Sequence, residues 1–78
     1  MTEVRLFAAA AAAAGTAKTV SSAASLSALQ LELIDAHPAI AAVLARCSFL
    51  VDGLVVREGD PDLTMAGTVD VLPPFAGG

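Results

Sequence analysis

The sequence predicts a single α+β domain over residues 1–78, in which a mixed sheet of about four to five strands wraps around one main helix. Three observations predict this fold. Segments near both ends of the chain alternate apolar and polar residues with a period of two, as half-buried strands do. An apolar stripe with helical spacing lies between them. An Asp-Gly pair separates two short apolar runs, which is a strong hairpin signal.

The first strand is predicted over residues 3–8, EVRLFA. Val4 and Leu6 alternate there with Arg5 and Phe7, so the two pairs point to opposite faces of a sheet. Val4 and Leu6 are the core-facing pair. Phe7 therefore lies on the other face.

The stretch FAAAAAAAG, residues 7–15, predicts a short helical turn that ends at Gly15, because alanine has the highest helix propensity. Residues 17–22 are predicted to return as a second strand. The run is too short to span a membrane, which takes about 20 apolar residues. With Glu3 before it, it also lacks the positive bias of a signal peptide, which argues against export.

The main helix is predicted to begin after Ser25, a suitable N-cap residue. Its apolar stripe recurs at spacings of three and four residues. The helix should end before Pro38, which disfavours helical geometry at His37. A short second amphipathic turn follows. The stripe comprises Leu26, Leu29, Leu33 and Ala36, and the second turn comprises Ile40, Val43 and Leu44.

The second half of the chain predicts a hairpin, a loop and a last strand. The hairpin covers residues 48–56 around Asp52-Gly53, and the loop covers residues 58–67, with Leu63 packed into the core. Residues 68–72 alternate as a strand. We expect this strand to lie beside the first in the middle of the sheet, with Leu72 on the face that the helix leaves free.

Charge and cysteine content narrow the class of partner. The net charge is −4 with only four basic residues, which excludes a nucleic-acid partner and favours a basic protein surface. The single cysteine, Cys47, fits a reducing compartment, so we expect a cytoplasmic protein. Cys47 is interpreted as a buried structural thiol and His37 as a surface or capping residue.

No metal site is predicted. The acidic residues Glu58, Asp60 and Asp62 lack the spacing of a calcium loop and favour a solvated loop. The sequence contains no second cysteine and only one histidine, which is too few ligands to form a metal site with Cys47. The sequence shows no catalytic constellation of side chains.

The segment PPFAGG, residues 73–78, offers a group that can be made reactive, the carboxylate of Gly78. Pro73 and Pro74 predict a stiff, extended stem after the last strand. Gly77 and Gly78 have no side chains, so they fit a channel too narrow for a Cβ and present the carboxylate of Gly78. Adenylation would make that carboxylate reactive toward sulfur or an amine. The residues alone do not separate this interpretation from a terminus without a role.

The whole pattern resembles the ThiS/MoaD-type ubiquitin-like sulfur carriers of the β-grasp fold, and most closely the small subunit of molybdopterin synthase. The resemblance covers essentially the full chain. It rests on VRLFA with Gly15 behind it, the capped helix after Ser25, FLVDG, Leu63 ahead of Gly67, and above all VDVLPPFAGG.

This resemblance implies a protein without catalysis of its own and without a permanently bound cofactor. An E1-like adenylyltransferase uses ATP to adenylate the terminal carboxylate, and a sulfur donor protein converts it to a transient thiocarboxylate. The large subunit of molybdopterin synthase then uses the sulfur to build the dithiolene of molybdopterin from cyclic pyranopterin monophosphate. Two small and two large subunits commonly form a heterotetramer.

The resemblance also assigns site residues. Gly78 carries the thiocarboxylate, and Phe7 and Leu72 form an apolar docking patch together with Phe75. The residues expected to enter the partner's channel, as a flexible Gly-Gly tail on a proline stem, are Pro73, Pro74, Phe75, Ala76 and Gly77. Two departures from the family pattern affect docking contacts: the all-alanine run at residues 8–14 and Thr68 in place of an acidic residue.

Three other functions stay open at this point. The chain could carry sulfur for thiamin thiazole, cysteine or transfer-RNA thiolation, although Pro73-Pro74 argues against this. It could be a ubiquitin-like modifier that joins lysines through Gly78. It could also be an interaction module whose terminal residues have no chemical role.

Overall fold

The computed structural model describes residues 1–74, and residues 75–78 lie outside the description. The elements within residues 1–74 follow the predicted order of strands and helices. They are β1 (Thr2–Leu6), α1 (Ala8–Ala14), β2 (Lys18–Ser21), α2 (Leu26–Ala36), a 3-10 turn (Pro38–Ile40), α3 (Ala41–Leu44), β3 (Ser48–Val51), β4 (Leu54–Val55) and β5 (Thr68–Leu72).

The strands form one mixed sheet in the order β2-β1-β5-β3-β4. The first and last strands, β1 and β5, pair in parallel at its centre, with Leu6 opposite Val71. The other three pairings are antiparallel. The prediction of a mixed sheet with the last strand beside the first is therefore confirmed.

One face of the sheet packs under the helices and forms the core. Val4, Val69 and Val71 from the central strands are completely buried there. Leu63 is only 1% exposed, which confirms that it packs the long loop into the core. The buried apolar set is completed by Leu6, Ala10, Ala14, Leu26, Leu29, Leu33, Ile40 and Leu44.

The predicted stripe of α2 is confirmed except at its end. Ser25 caps the helix, since its hydroxyl accepts a hydrogen bond from the N–H of Ala28 at 3.2 Å. Ala36 was expected on the buried stripe but is exposed. The helix ends at this residue, because the chain turns at His37 into Pro38, and Ala36 is left uncovered although Leu33 in the same turn is buried.

The first two strands are shorter than predicted. β1 ends at Leu6 because Phe7 becomes the N-cap residue of α1 and Ala8 takes a φ of 49°. β2 begins at Lys18, one residue after the predicted start, although the Ala17 carbonyl still accepts a hydrogen bond from the N–H of Leu6 at 2.8 Å. The alanine run thus joins β1 directly.

The predicted turns adopt the backbone geometry that they need. Asp52 and Gly53 have φ values of 48° and 83°, so both central residues of the β3–β4 hairpin lie in the left-handed region. Gly15 ends α1 with a φ of 73°. Within the described part of the chain, every helix is too short or too polar to cross a bilayer.

Candidate functional site

Phe7 and Leu72 lie at the ends of the two central strands: Leu72 is the last residue of β5, and Phe7 directly follows β1. The register pairs Leu6 with Val71, the residues that precede Phe7 and Leu72. The N–H of Phe7 donates to the carbonyl oxygen of Val71 at 3.2 Å, which holds the two ends together. Phe7 is 40% exposed and Leu72 is half-buried. We call these two residues the docking patch.

An ion pair borders the docking patch on the same face. The Arg5 guanidinium binds the Asp70 carboxylate through two hydrogen bonds, with Nη2 donating to Oδ2 at 2.9 Å. The hydrogen bonds and charge of Asp70 raise the pKa of Arg5. Asp70 is 8% exposed and its carboxylate is satisfied by this pairing. A carboxylate can therefore lie in the middle of the sheet without being left unpaired.

This ion pair was not predicted from the sequence. In the two central strands Arg5 alternates with Val4 and Leu6, and Asp70 alternates with Val69 and Val71. Both charged residues therefore belong to the free face, and opposite charges directly across two strands attract one another. The two opposite charges can therefore be read from the sequence. The ion pair itself can be inferred only once the strand register places Arg5 opposite Asp70.

The stem begins where β5 ends. Pro73 is buried and Pro74 is exposed, and both line a space next to α1 and α3. Val69, Val71 and Pro73 follow the same alternation toward the core. The remaining predicted site residues, Phe75, Ala76, Gly77 and Gly78, lie outside the described residues, and their roles stay predictions.

A groove of about 520 Å³ opens beside the stem. It runs between α1, α3 and the two prolines, and we call it the stem groove. Of the six residues among 1–74 that line it, five are apolar and one is a cation. The lining comprises Ala9, Ala42, Val43, Arg46, Pro73 and Pro74.

The titratable residues considered as catalytic candidates have structural contacts. Cys47 is half-buried, which corrects the expectation of a buried thiol, and its Sγ lies 3.2 Å from the Val43 carbonyl oxygen as a hydrogen-bond donor. This partial burial raises the pKa of the thiol and keeps it protonated. The N–H of His37 donates to the Leu33 carbonyl oxygen at 2.8 Å and caps α2, as expected.

The acidic loop also has a structural role. Asp60 accepts hydrogen bonds from the N–H of Ser27 at 2.8 Å and from its hydroxyl at 2.6 Å, so it caps the start of α2. Asp62 accepts from the N–H and hydroxyl of Thr64 within its own turn. No cluster of three potential metal-binding side chains occurs among residues 1–74. The expected solvated loop is therefore exposed but also ordered by side-chain caps.

Comparison with known proteins agrees with the fold. The sequence model of the ThiS family matches residues 4–78 of the chain. The structure is similar to SAMP1 from Haloferax volcanii, with 24% sequence identity and a TM-score of 0.67 over 99% of this chain and 98% of that chain. A structure described as H. volcanii small archaeal modifier protein 1 is 22% identical, with a TM-score of 0.63 over 94% of this chain and 95% of that chain.

These likenesses show a shared fold. At such identities they extend to the ubiquitin-like β-grasp architecture, which is the α+β fold predicted from the sequence. No curated protein is significantly similar to the chain in sequence. The family match and the geometry of the stem are therefore the observations that bear on function.

Proposed function

The chain belongs to the ThiS family, and we propose that within it the protein is the sulfur carrier of molybdopterin synthase, the small subunit. The observation that supports this proposal is the segment VDVLPPFAGG. Its first part is the central strand β5, which runs directly into Pro73 and Pro74 beside the docking patch. Gly78 then follows Pro74 by four residues.

The proposed chemistry takes place at the carboxylate of Gly78. An adenylyltransferase transfers AMP from ATP to this carboxylate and releases pyrophosphate. Sulfide supplied by a donor protein attacks the carbonyl carbon, AMP leaves, and a thiocarboxylate forms. The side chains of the domain take no part in these steps. They bind the partner and set the point from which the last residues extend.

Delivery requires a second partner, the large subunit of molybdopterin synthase. We propose that it contacts the docking patch and receives the residues after Pro74, with Phe75 seated at its entrance. The sulfur of the thiocarboxylate forms a bond to cyclic pyranopterin monophosphate. Water then hydrolyses the resulting thioester, which leaves the sulfur on the pterin and regenerates the carboxylate of Gly78. The assembly that follows from the family resemblance is a heterotetramer of two small and two large subunits.

Intact-mass analysis tests this proposal. The protein is incubated with ATP, a sulfur donor and an adenylyltransferase of proven activity, and an oxygen-to-sulfur exchange at Gly78 is expected. A variant lacking Gly78 is the control and should show no exchange. A wild-type mass that stays unchanged would overturn the proposal.

A second candidate is a ubiquitin-like modifier. It is favoured by the similarity in fold to SAMP1, a protein described as a small archaeal modifier. The same adenylate of Gly78 would then be attacked by a lysine amine, which releases AMP and forms an isopeptide bond. Mass spectrometry of protease digests would reveal Gly78 joined to lysines of other proteins under conjugating conditions.

A sulfur carrier for another pathway is the remaining alternative. It shares the thiocarboxylate and differs only in the enzyme that receives it. Capture of a thiazole synthase, a cysteine synthase or a transfer-RNA thiolation enzyme, in place of the large subunit, would favour this alternative.

A further inference from the structure

We propose that the stem groove receives an apolar side chain of the large subunit, and that an adjoining carboxylate of the large subunit pairs with Arg46. This inference rests on the proposed function, because it needs a large subunit that takes up the stem. It goes beyond the docking patch, since it assigns a second contact on the opposite side of Pro73 and Pro74. It also gives the alanine run of α1 a role in binding.

The shape of the groove follows from the small side chains that line it. Ala9 on α1 and Ala42 on α3 each contribute only a methyl group, and both are exposed. The seven residues of α1 are all alanine, so none of them extends across the gap toward α3. The side chains of residues 1–74 thus leave a space of about 520 Å³ beside Pro73 and Pro74, which is large enough for a bulky apolar side chain.

The positive charge of Arg46 indicates that the group bound in the stem groove also carries a carboxylate. Arg46 is exposed and is the only charged residue that lines the groove among residues 1–74. Its guanidinium has no ion pair within that range, whereas the guanidinium of Arg5 and the ammonium of Lys18 each have one. A carboxylate is the group that a guanidinium pairs with best, because both are planar and can form two parallel hydrogen bonds. An apolar group with one adjoining carboxylate complements this lining.

The stem groove and the docking patch are formed by residues that are close together in the sequence, which indicates that one partner contacts both. Ala9 follows Phe7 by two residues, and Pro73 directly follows Leu72. The docking patch therefore lies on the sheet face of the stem and the stem groove on its helical face. A large subunit that encloses the stem contacts both faces. We therefore assign the groove to the same partner as the docking patch.

A charge reversal tests the pairing with Arg46. The protein carries a net charge of −4, so long-range attraction to a basic partner would make any Arg→Glu change neutral or favourable for binding. The proposal makes the opposite prediction for Arg46→Glu: an affinity for the large subunit that falls by about tenfold or more, measured by calorimetry. Arg57→Glu is the matched control, because Arg57 is exposed and outside the groove. It should bind as tightly as the wild type or more tightly.

Filling the groove tests its shape. Ala9→Leu and Ala42→Leu place branched side chains in the space, and each should weaken binding to the large subunit by about tenfold. Ala12→Leu is the control, since Ala12 is an exposed residue of the same helix that does not line the groove. It should bind like the wild type. Thermal unfolding of all variants checks that the domain is intact.

The results separate this inference from the proposed function. If the wild type does not bind the large subunit, both are overturned. If the wild type binds and Arg46→Glu binds equally well, only the groove is wrongly assigned. If Arg46→Glu slows thiocarboxylation and leaves large-subunit binding unchanged, the groove belongs to the adenylyltransferase and the proposal fails. If the wild type forms a dimer that Arg46→Glu dissociates, without a change in large-subunit binding, the occupant is a second copy and the proposal also fails.

Discussion

Asp52 connects two parts of the chain that are distant in sequence. It occupies the turn between β3 and β4, and its Oδ1 accepts hydrogen bonds from the N–H groups of Gly67 and Thr68, each at 2.9 Å. Thr68 begins β5, the strand that ends at the stem, and Gly67 directly precedes it. One carboxylate therefore fixes the hairpin to the start of β5.

We predict that Asp52→Ala lowers the free energy of unfolding by about 1–3 kcal/mol, because it removes an acceptor for two N–H groups and puts alanine at a positive φ. Asp52→Asn is the matched control, since it keeps an acceptor oxygen and asparagine tolerates this backbone conformation. Urea unfolding of both variants measures the difference. Equal losses in the two variants would contradict the role of the acceptor.

Asp60 should make stability depend on acid pH. Hydrogen bonds from the hydroxyl and then the N–H of Ser27 lower the pKa of Asp60 in the folded protein. Because the pKa of Asp60 is lower in the folded state, its ionised carboxylate stabilises the folded protein at pH values above the ordinary aspartate pKa of about 3.9. This contribution is lost as the pH falls through the folded pKa. The free energy of unfolding should therefore decline below about pH 4.

Asp60→Asn tests this pH dependence, because asparagine does not titrate. The variant should show a smaller decline than the wild type when urea midpoints at neutral and acid pH are compared. Asp35→Asn is the control, since Asp35 is exposed and makes no side-chain hydrogen bond within residues 1–74. Its decline should match the wild type. If stability declines as much in Asp60→Asn as in the wild type, the hydrogen bonds to Asp60 do not cause the pH dependence.

For single residues, the sequence predicted which side chains are buried better than it predicted which side chains contact one another. Alternation and spacing identify Val4 and Leu63 as core residues, because burial depends on a pattern that neighbouring residues share. The acceptor role of Asp52 and the pair between Arg5 and Asp70 depend on which distant residues the fold brings opposite each other. That information becomes available only with the strand register.

Among the secondary-structure elements, α1 consists of alanine alone and ends on a conformation that favours glycine. Gly15 has a φ of 73° and its N–H donates to the Ala11 carbonyl oxygen at 2.9 Å. A Cβ at this position would meet no atom within 4 Å, so a substitution costs only backbone strain. The end of α1 therefore depends on conformation and not on packing.

Gly15→Ala should lower the free energy of unfolding by about 1 kcal/mol, because alanine is strained in the left-handed region. Gly15→Asn should cost less, since asparagine is the other residue that commonly ends helices in this conformation. Chemical unfolding of the two variants measures the contrast. A larger loss for Gly15→Asn would indicate that side-chain contacts, and not the backbone, decide this position.

Element types were predictable and element ends were less so. Period-two alternation identifies β1 and β5, and the three-and-four spacing identifies α2, because each pattern reports one buried face. The end of β1 was wrong by two residues, since alternation continues through Phe7 while the backbone already turns into α1. The exposed Ala36 has the same origin: its spacing fits the stripe, but its helix ends there.

At the scale of the whole molecule, the parallel pairing of β1 and β5 brings distant parts of the sequence together. Phe7 near one end of the chain and Leu72 near the other become neighbours only through this pairing. The sequence predicted that the last strand lies beside the first, because a mixed sheet wrapped around one helix buries one face and leaves the other face free. The stem groove could not be predicted, since it depends on how α1 and α3 pack around Pro73.

The net charge of −4 makes one more prediction for the whole molecule. Association with a basic large subunit should slow as salt rises, because exposed charges are screened over about 30 Å at 0.01 M ionic strength but only about 10 Å at 0.1 M. Stopped-flow association rates across this range measure the effect. A double variant, Asp35→Asn with Glu58→Gln, neutralises two exposed carboxylates and should associate more slowly at low salt, with a weaker salt dependence. Rates that do not change with salt would contradict the prediction of a basic partner surface.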